Sequence, residues 1–222
     1  MNVSQAVADR RSVRAFLDTP VDIDRLTGIV EQAARAPSGG NLQPWHLHVV
    51  HGARMAELKA LMRDRVAADP RGEGTEYPIY PPELDSPYRE RVFDVGEQLY
   101  GHLGVVREDK VGRRAWFARN YQFFGAPVGL FTFVSRKAGA AQWSDLGMYL
   151  QTVMLLLCEA GLDSCAQECW ARYHHTITRF FAIPEEQMLF CGMAIGHADP
   201  EHPANRLRTL RAPRSEYLTV HG

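Results

Sequence analysis

The stretch "LGMYLQTVMLLLC", residues 146–158, constrains this chain more than any other. It is apolar nearly all round, with Gln151 in its middle. At about 1.5 Å per residue it is too short to cross a hydrocarbon core of roughly 30 Å. A helix with no polar face has to be covered on every side, by its own core or by a second subunit. Asp145 and Gln151 on such a helix then need buried partners.

The remaining elements read as layers around that helix. Residues 2–9 read as a short helix, and "VDIDRLTGIVEQAARA" as a second with Asp22 as its N-cap. "WHLHVVHG" is strand-like and ends at Gly52, and a helix follows over 54–68. "DPRGEGTEYPIYPPELDSPYRER" is rich in Pro, Gly and Tyr and reads as largely irregular. Helical patterns resume over 92–103 and 113–124, "APVGLFTFVS" is a strand, and the apolar helix covers 144–160. Gly161 suits a helix C-cap, with an extended "GLDSCAQECW" around it. A helix over 174–181 and the strand "MLFCGMAIGHA" complete the core, and the tail is polar and basic. Helices outnumber strands and do not alternate with them, which points to α+β, a small sheet between helical layers. The 222 residues read as one domain, with 69–114 as a lid-like excursion from it.

A formal net charge of −1 argues against a nucleic-acid binder. Four cysteines are too few for a disulfide scaffold and lie in or near apolar runs, as free thiols in a reducing compartment do. The N-terminus lacks the apolar core of a secretory signal, so a cytoplasmic location is expected. Cys165, Cys169, His174 and His175 lie close together, but their spacing matches no zinc pattern.

Three segments carry chemistry. In "RRSVRAF", an extended backbone would put Arg10, Ser12 and Arg14 on one side, two guanidinium forks flanking a hydroxyl. That suits a phosphate; a solvated basic run is the plainer reading. "NRLRTLRAPR" supplies Arg208 and Arg211, surface charges by themselves and a clamp only if the termini meet. "APSGGNLQPW", residues 36–45, is either loop punctuation or a backbone built to approach a ligand closely.

The ordered series "RRSVRAF", "APSGGNLQPWHLHVV", "NYQFFGAPVGLF", "DLGMYLQTVMLLLCEAGLDSC" and "GMAIGHAD…NRLRTLRAP" resembles the FMN-dependent nitroreductase family and spans nearly the whole chain. The resemblance implies an intertwined homodimer with a small, mostly antiparallel sheet and one FMN at each of two interface sites. It places Arg10, Arg11, Ser12 and Arg14 along the flavin, with Arg208 and Arg211 joining at the phosphate. Pro37, Ser38, Gly39 and Asn41 would reach over from the partner subunit. Backbone groups of Gln167, Glu168 and Cys169 would face the reactive edge of the ring, although many relatives carry proline where this chain has Ala166. Tyr88, Tyr100 and Phe124 would line the substrate pocket. No catalytic acid or base is named, since the flavin carries the redox step.

The implied activity is passage of electrons from NAD(P)H through FMN to a nitroaromatic or quinone, the two substrates using one site in turn. The lack of a G-x-G-x-x-G after a strand fits a site without a separate dinucleotide domain. Two alternatives stand beside it: the same fold with other flavin chemistry, such as reductive dehalogenation or flavin fragmentation, and a flavin-binding protein without turnover. The aromatic residues of 69–114 serve equally as acceptor stacking or as lid packing.

Overall fold

A computed structural model describes all 222 residues. Four strands, β1 (His46–His51), β2 (Val128–Ser135), β3 (Asp163–Gln167) and β4 (Gln187–Gly196), form one antiparallel sheet in the order β1-β2-β4-β3. Seven helices surround it: α1 (Val3–Asp9), α2 (Ile23–Ala33), α3 (Gly52–Ala68), α4 (Tyr88–His102), α5 (Lys110–Ala118), α6 (Ala140–Glu159) and α7 (His174–Phe181).

Alternation along the central strands builds two cores. On β2, Phe131 and Phe133 face a core shared with Met55, Leu58 and Met62 of α3, with Ile177 of α7 and with Trp170 just before that helix. Val128 and Leu130 face the opposite core, where α2 contributes Leu26 and Ile29 and α6 contributes Tyr149, Val153 and Leu157. Two glycines let aromatic rings lie on the sheet. A Cβ on Gly129 would sit 2.5 Å from the Phe123 ring, and one on Gly192 would sit 2.4 Å from the Trp170 indole.

One irregularity fixes the position of the long excursion. Thr132 pairs with Cys191 but Phe133 with Leu189, so Phe190 is the extra residue of a β-bulge. The phase change puts Leu189 in the α3 core and Cys191 in the α6 core. The bulged Phe190 presents its carbonyl to the Tyr77 hydroxyl, which donates to it. Upstream, the Glu73 carboxylate accepts from the Thr176 backbone at 3.0 Å and its hydroxyl at 2.6 Å, and pairs with Arg65 at 2.7 Å. The irregular chain after α3 is therefore tied to α7 and β4 before it reaches α4.

The apolar helix is α6, and no helix is long and apolar enough to cross a membrane. One face of it fills the α2 core; Gly147 and Met148 stay exposed, so its own chain leaves part of it uncovered. Tyr149 donates to the Val30 carbonyl at 2.9 Å, and Asp145 accepts from the Gly39 backbone at 3.1 Å.

Four boundaries differ from expectation. α4 begins at Tyr88, immediately after Pro87, and not at 92; α6 begins at Ala140, where the Gln142 side chain accepts from the Gly139 backbone. The helix expected over 113–124 ends at Ala118 and continues as a 3-10 segment, Arg119–Gly125, because Phe123 and Phe124 turn left-handed at φ 51 and 54. The extended run expected through 170 ends at Gln167 and tightens into a second 3-10 segment, Glu168–Tyr173.

Candidate functional site

The site is built on the free edge of β3. The segment after α1 runs extended beside it, Val13 donating to the Ser164 carbonyl at 3.0 Å in a parallel bridge centred on Ser12 and Ser164. Val13 and Ala15 are buried, which turns Ser12 and Arg14 to the other side. The C-terminal segment closes on the same strip. Asn205, 5% exposed, accepts from the Arg14 backbone at 2.8 Å and donates to the carbonyls of Ala15 and Asp199, each at 2.8 Å. The termini meet through this side chain and through backbone bonds beside it, Leu17 N–H to the His197 carbonyl at 2.8 Å and Asp199 N–H to that of Ala15 at 3.0 Å.

Their meeting gathers five arginines. Arg10, Arg11, Arg14, Arg208 and Arg211 line a cavity of about 450 Å³ together with Ser12 and one acid, Asp9. None of the five forms an ion pair with a carboxylate. Arg14 donates to the Ser12 carbonyl at 3.3 Å and Arg208 to that of Asn205 at 2.8 Å, while the buried Nε of Arg11 has no partner. A buried donor without an acceptor costs about 1–3 kcal/mol. Like charges held this close are stabilised by an anion between them.

A second cavity of about 410 Å³ adjoins the first and shares Arg14 and Leu207 with it. Its walls are largely aromatic and aliphatic: Trp116, Phe117 and Phe124 on one side, Tyr80, Leu99 and Tyr100 from the excursion on the other. Alternation along β3 turns the backbone N–H and C=O of Ala166 outward, on the same edge as the Ser164 carbonyl and into this cavity. Gln167 points its side chain inward, donating to Asn120 at 2.8 Å and accepting from the Trp170 indole at 3.3 Å. Partial burial pushes the Glu168 carboxyl up, and burial pushes the Cys169 thiol far up, which keeps that sulfur protonated and unreactive.

Phe124 is 2% exposed and forms part of the cavity wall from a left-handed backbone. Two successive non-glycine residues in that region cost on the order of 1–3 kcal/mol each. Contacts across the sheet hold them there: Phe123 on Gly129 and Trp170, the Phe124 carbonyl accepting from Phe16 at 3.2 Å, and Lys59 donating to the Ala126 carbonyl at 2.8 Å.

Not every expected residue reaches these cavities. Tyr100 lines the second, its ring 4.2 Å beneath the Arg113 guanidinium. Tyr88 does not; it opens α4, 59% exposed and outside the lining, because the helix starts one turn earlier than its sequence suggests. The loop with Pro37, Ser38, Gly39 and Asn41 lines neither cavity of its own chain. It is nonetheless a shaped loop, with Gly40, Asn41 and Gln43 left-handed and Ser38 accepting from the Gln43 backbone at 2.9 Å.

The model of the nitroreductase family matches residues 7–197. The chain belongs to that family. It is 38% identical over 208 residues to 4-nitrobenzoate reductase of Pseudomonas putida, covering 92% of this chain and 89% of that one. It is 34% identical over 220 residues to nitrobenzene nitroreductase of Ectopseudomonas oleovorans, covering 99% and 97%. Among solved structures, the FMN and NADPH-dependent nitroreductase NfnB from Sphigopyxis sp. strain HMH superposes with a TM-score of 0.96 at 50% identity, over 100% of both chains.

For this nitroreductase-family chain, the sequence reading missed Asn205, whose position in a basic tail gives no hint of burial. It also missed Arg172 and Asn120, which reach the second cavity only because two 3-10 segments fold toward each other.

Proposed function

We propose that this chain is an FMN-dependent reductase of nitroaromatic acceptors driven by NAD(P)H, working as a homodimer with residues 1–222 as one FMN-binding unit and 69–114 as its lid. The carrying observation is the pair of adjoining cavities, one ringed by five uncompensated arginines and one aromatic, joined at Arg14 and Leu207. The relatives' activities, on 4-nitrobenzoate and nitrobenzene, support it.

The donors present fit FMN. Arg10, Arg11, Ser12, Arg208 and Arg211 would take its phosphate, supplying the acceptor that the Arg11 Nε lacks. Arg14 stands where phosphate and ring regions join. The outward backbone of Ala166, with the backbone of Gln167, Glu168 and Cys169 that follows it along the same wall, would hold the reactive edge without adding a titrating group there. Bound there, FMN would supply two-electron redox chemistry between NAD(P)H and the acceptor. Phe124, Trp116 and Tyr100 supply faces for a flat acceptor and exclude water from it. Tyr88 lies outside this lining and is not assigned to it.

The homodimer reading draws on α6 and on the loop after α2. Met148 and Gly147 leave an apolar stretch of α6 exposed, and a second copy would cover it. Pro37, Ser38, Gly39 and Asn41, away from their own chain's cavities and with Asn41 left-handed, would then close over the partner's flavin.

Apo-protein should bind FMN at least about tenfold more tightly than riboflavin, since charge-assisted hydrogen bonds contribute about 1.5–3 kcal/mol each. Fluorescence titration with both flavins measures this. Equal affinities would detach the five arginines from the phosphate.

A further inference from the structure

We propose that Arg172 makes the second cavity selective for aromatic anions, so that acceptors bearing a carboxylate or phenolate are taken in preference to neutral ones. The inference rests on the reductase reading and names the substrate class of the same site.

Arg172 lines the cavity, and its guanidinium lies 5.3 Å over the ring of Phe117, another wall residue. It forms no ion pair, whereas Arg65 and Arg136 beside the same excursion are paired with Glu73 and Glu76. Glu168 is the one acid on the wall, and it is not paired with Arg172.

The backbone of Arg172 is fixed by the excursion. Its carbonyl accepts from the Glu73 N–H at 2.7 Å, and Gly72, at φ +86, approaches so closely that a Cβ there would lie 2.6 Å from that oxygen. The Glu73 carboxylate is engaged by Thr176 and Arg65, which leaves the Arg172 charge uncompensated. A planar cation on an aromatic wall matches a flat acceptor with an anionic substituent: ring against Trp116, Phe117 or Phe124, and oxygens on the guanidinium fork.

The test compares kcat/KM of the FMN-loaded enzyme for 4-nitrobenzoate and for its neutral isostere 4-nitrobenzamide, in wild type, Arg172→Gln and Arg172→Lys. Benzoate, which cannot be reduced, is titrated into the oxidised holoproteins and followed by the flavin spectrum. Wild type should favour the benzoate by about tenfold or more, chiefly in KM, because one charge-assisted hydrogen bond is worth at least that factor. Arg172→Gln should lose the preference and weaken benzoate binding by a similar factor. Arg172→Lys should restore part of both, since it keeps the charge without the fork. Equal use of both acceptors by wild type, or a preference that survives in Arg172→Gln, would overturn the assignment. So would a variant whose only change is a higher KM for NADPH. If neither nitro compound is reduced, the reductase reading fails, and the benzoate titration still decides whether Arg172 holds an anion.

Discussion

Arg14→Ala should weaken FMN binding roughly ten- to a hundredfold while leaving the melting temperature of the apo-protein within a degree or two. The guanidinium makes a single hydrogen bond within the protein, to the exposed carbonyl of Ser12, and packs no core. It is also the one charged side chain shared by the basic and aromatic cavities, so its loss subtracts from the ligand and hardly from the fold. Fluorescence titration with FMN, beside a thermal melt of the apo-protein, separates the two effects. Unchanged FMN affinity would mean that the extended segment after α1 does not face the flavin.

Asn205→Ala should behave differently, lowering both stability and cofactor affinity. The side chain is 5% exposed and completes three hydrogen bonds, to the Arg14 N–H and to the carbonyls of Ala15 and Asp199. Truncation strands the Arg14 N–H and the Asp199 carbonyl, at about 1–3 kcal/mol for each that stays dry, while the Ala15 carbonyl keeps the Asp199 N–H at 3.0 Å. A total of about 3 kcal/mol corresponds to a melting point lower by roughly 6–12 °C in a domain of this size. FMN affinity should fall as well, because Arg14 and Arg208 stand on the two segments that Asn205 ties together. Calorimetry of the apo-protein is the decisive measurement. A variant as stable as wild type would show that the backbone bonds from Leu17 and Asp199 hold the termini together without Asn205.

Much of this was legible in the residues. The α+β class and the strands β1, β2 and β4 follow from short runs of β-branched, aromatic and aliphatic residues bounded by turn-formers, and the Asp22 cap starts α2 where expected. Gly161 takes the left-handed backbone expected after α6. The extended run with Ser12 and Arg14 on one side also holds, because Val13 and Ala15 fill the interior.

What stayed hidden depends on distant partners. Phe123 and Phe124 look like a helix continuing from α5, and the left-handed turn they make instead goes with the seating of the Phe123 ring above Gly129, on a strand outside α5's own pattern. The bulge at Phe190 has no local sign in a uniformly apolar strand; its consequence, the Tyr77 anchor, spans 113 residues. Tyr88 opens α4, exposed and outside the lining of its own chain's cavity, a placement set by where that helix starts. The meeting of the two basic segments rests on an asparagine 191 residues from Arg14, and no periodicity records such a pairing.

In the proposed function the two cavities hold one flavin that cycles between NAD(P)H and a nitroaromatic. Its most direct test is the visible spectrum of the purified protein, dialysed after incubation with FMN and titrated anaerobically with NADPH or NADH. The expected result is a retained flavin spectrum that bleaches with a nicotinamide donor and returns on addition of a nitroaromatic. A protein that retains no flavin would contradict the site, and a retained flavin that neither donor bleaches would contradict the reductase.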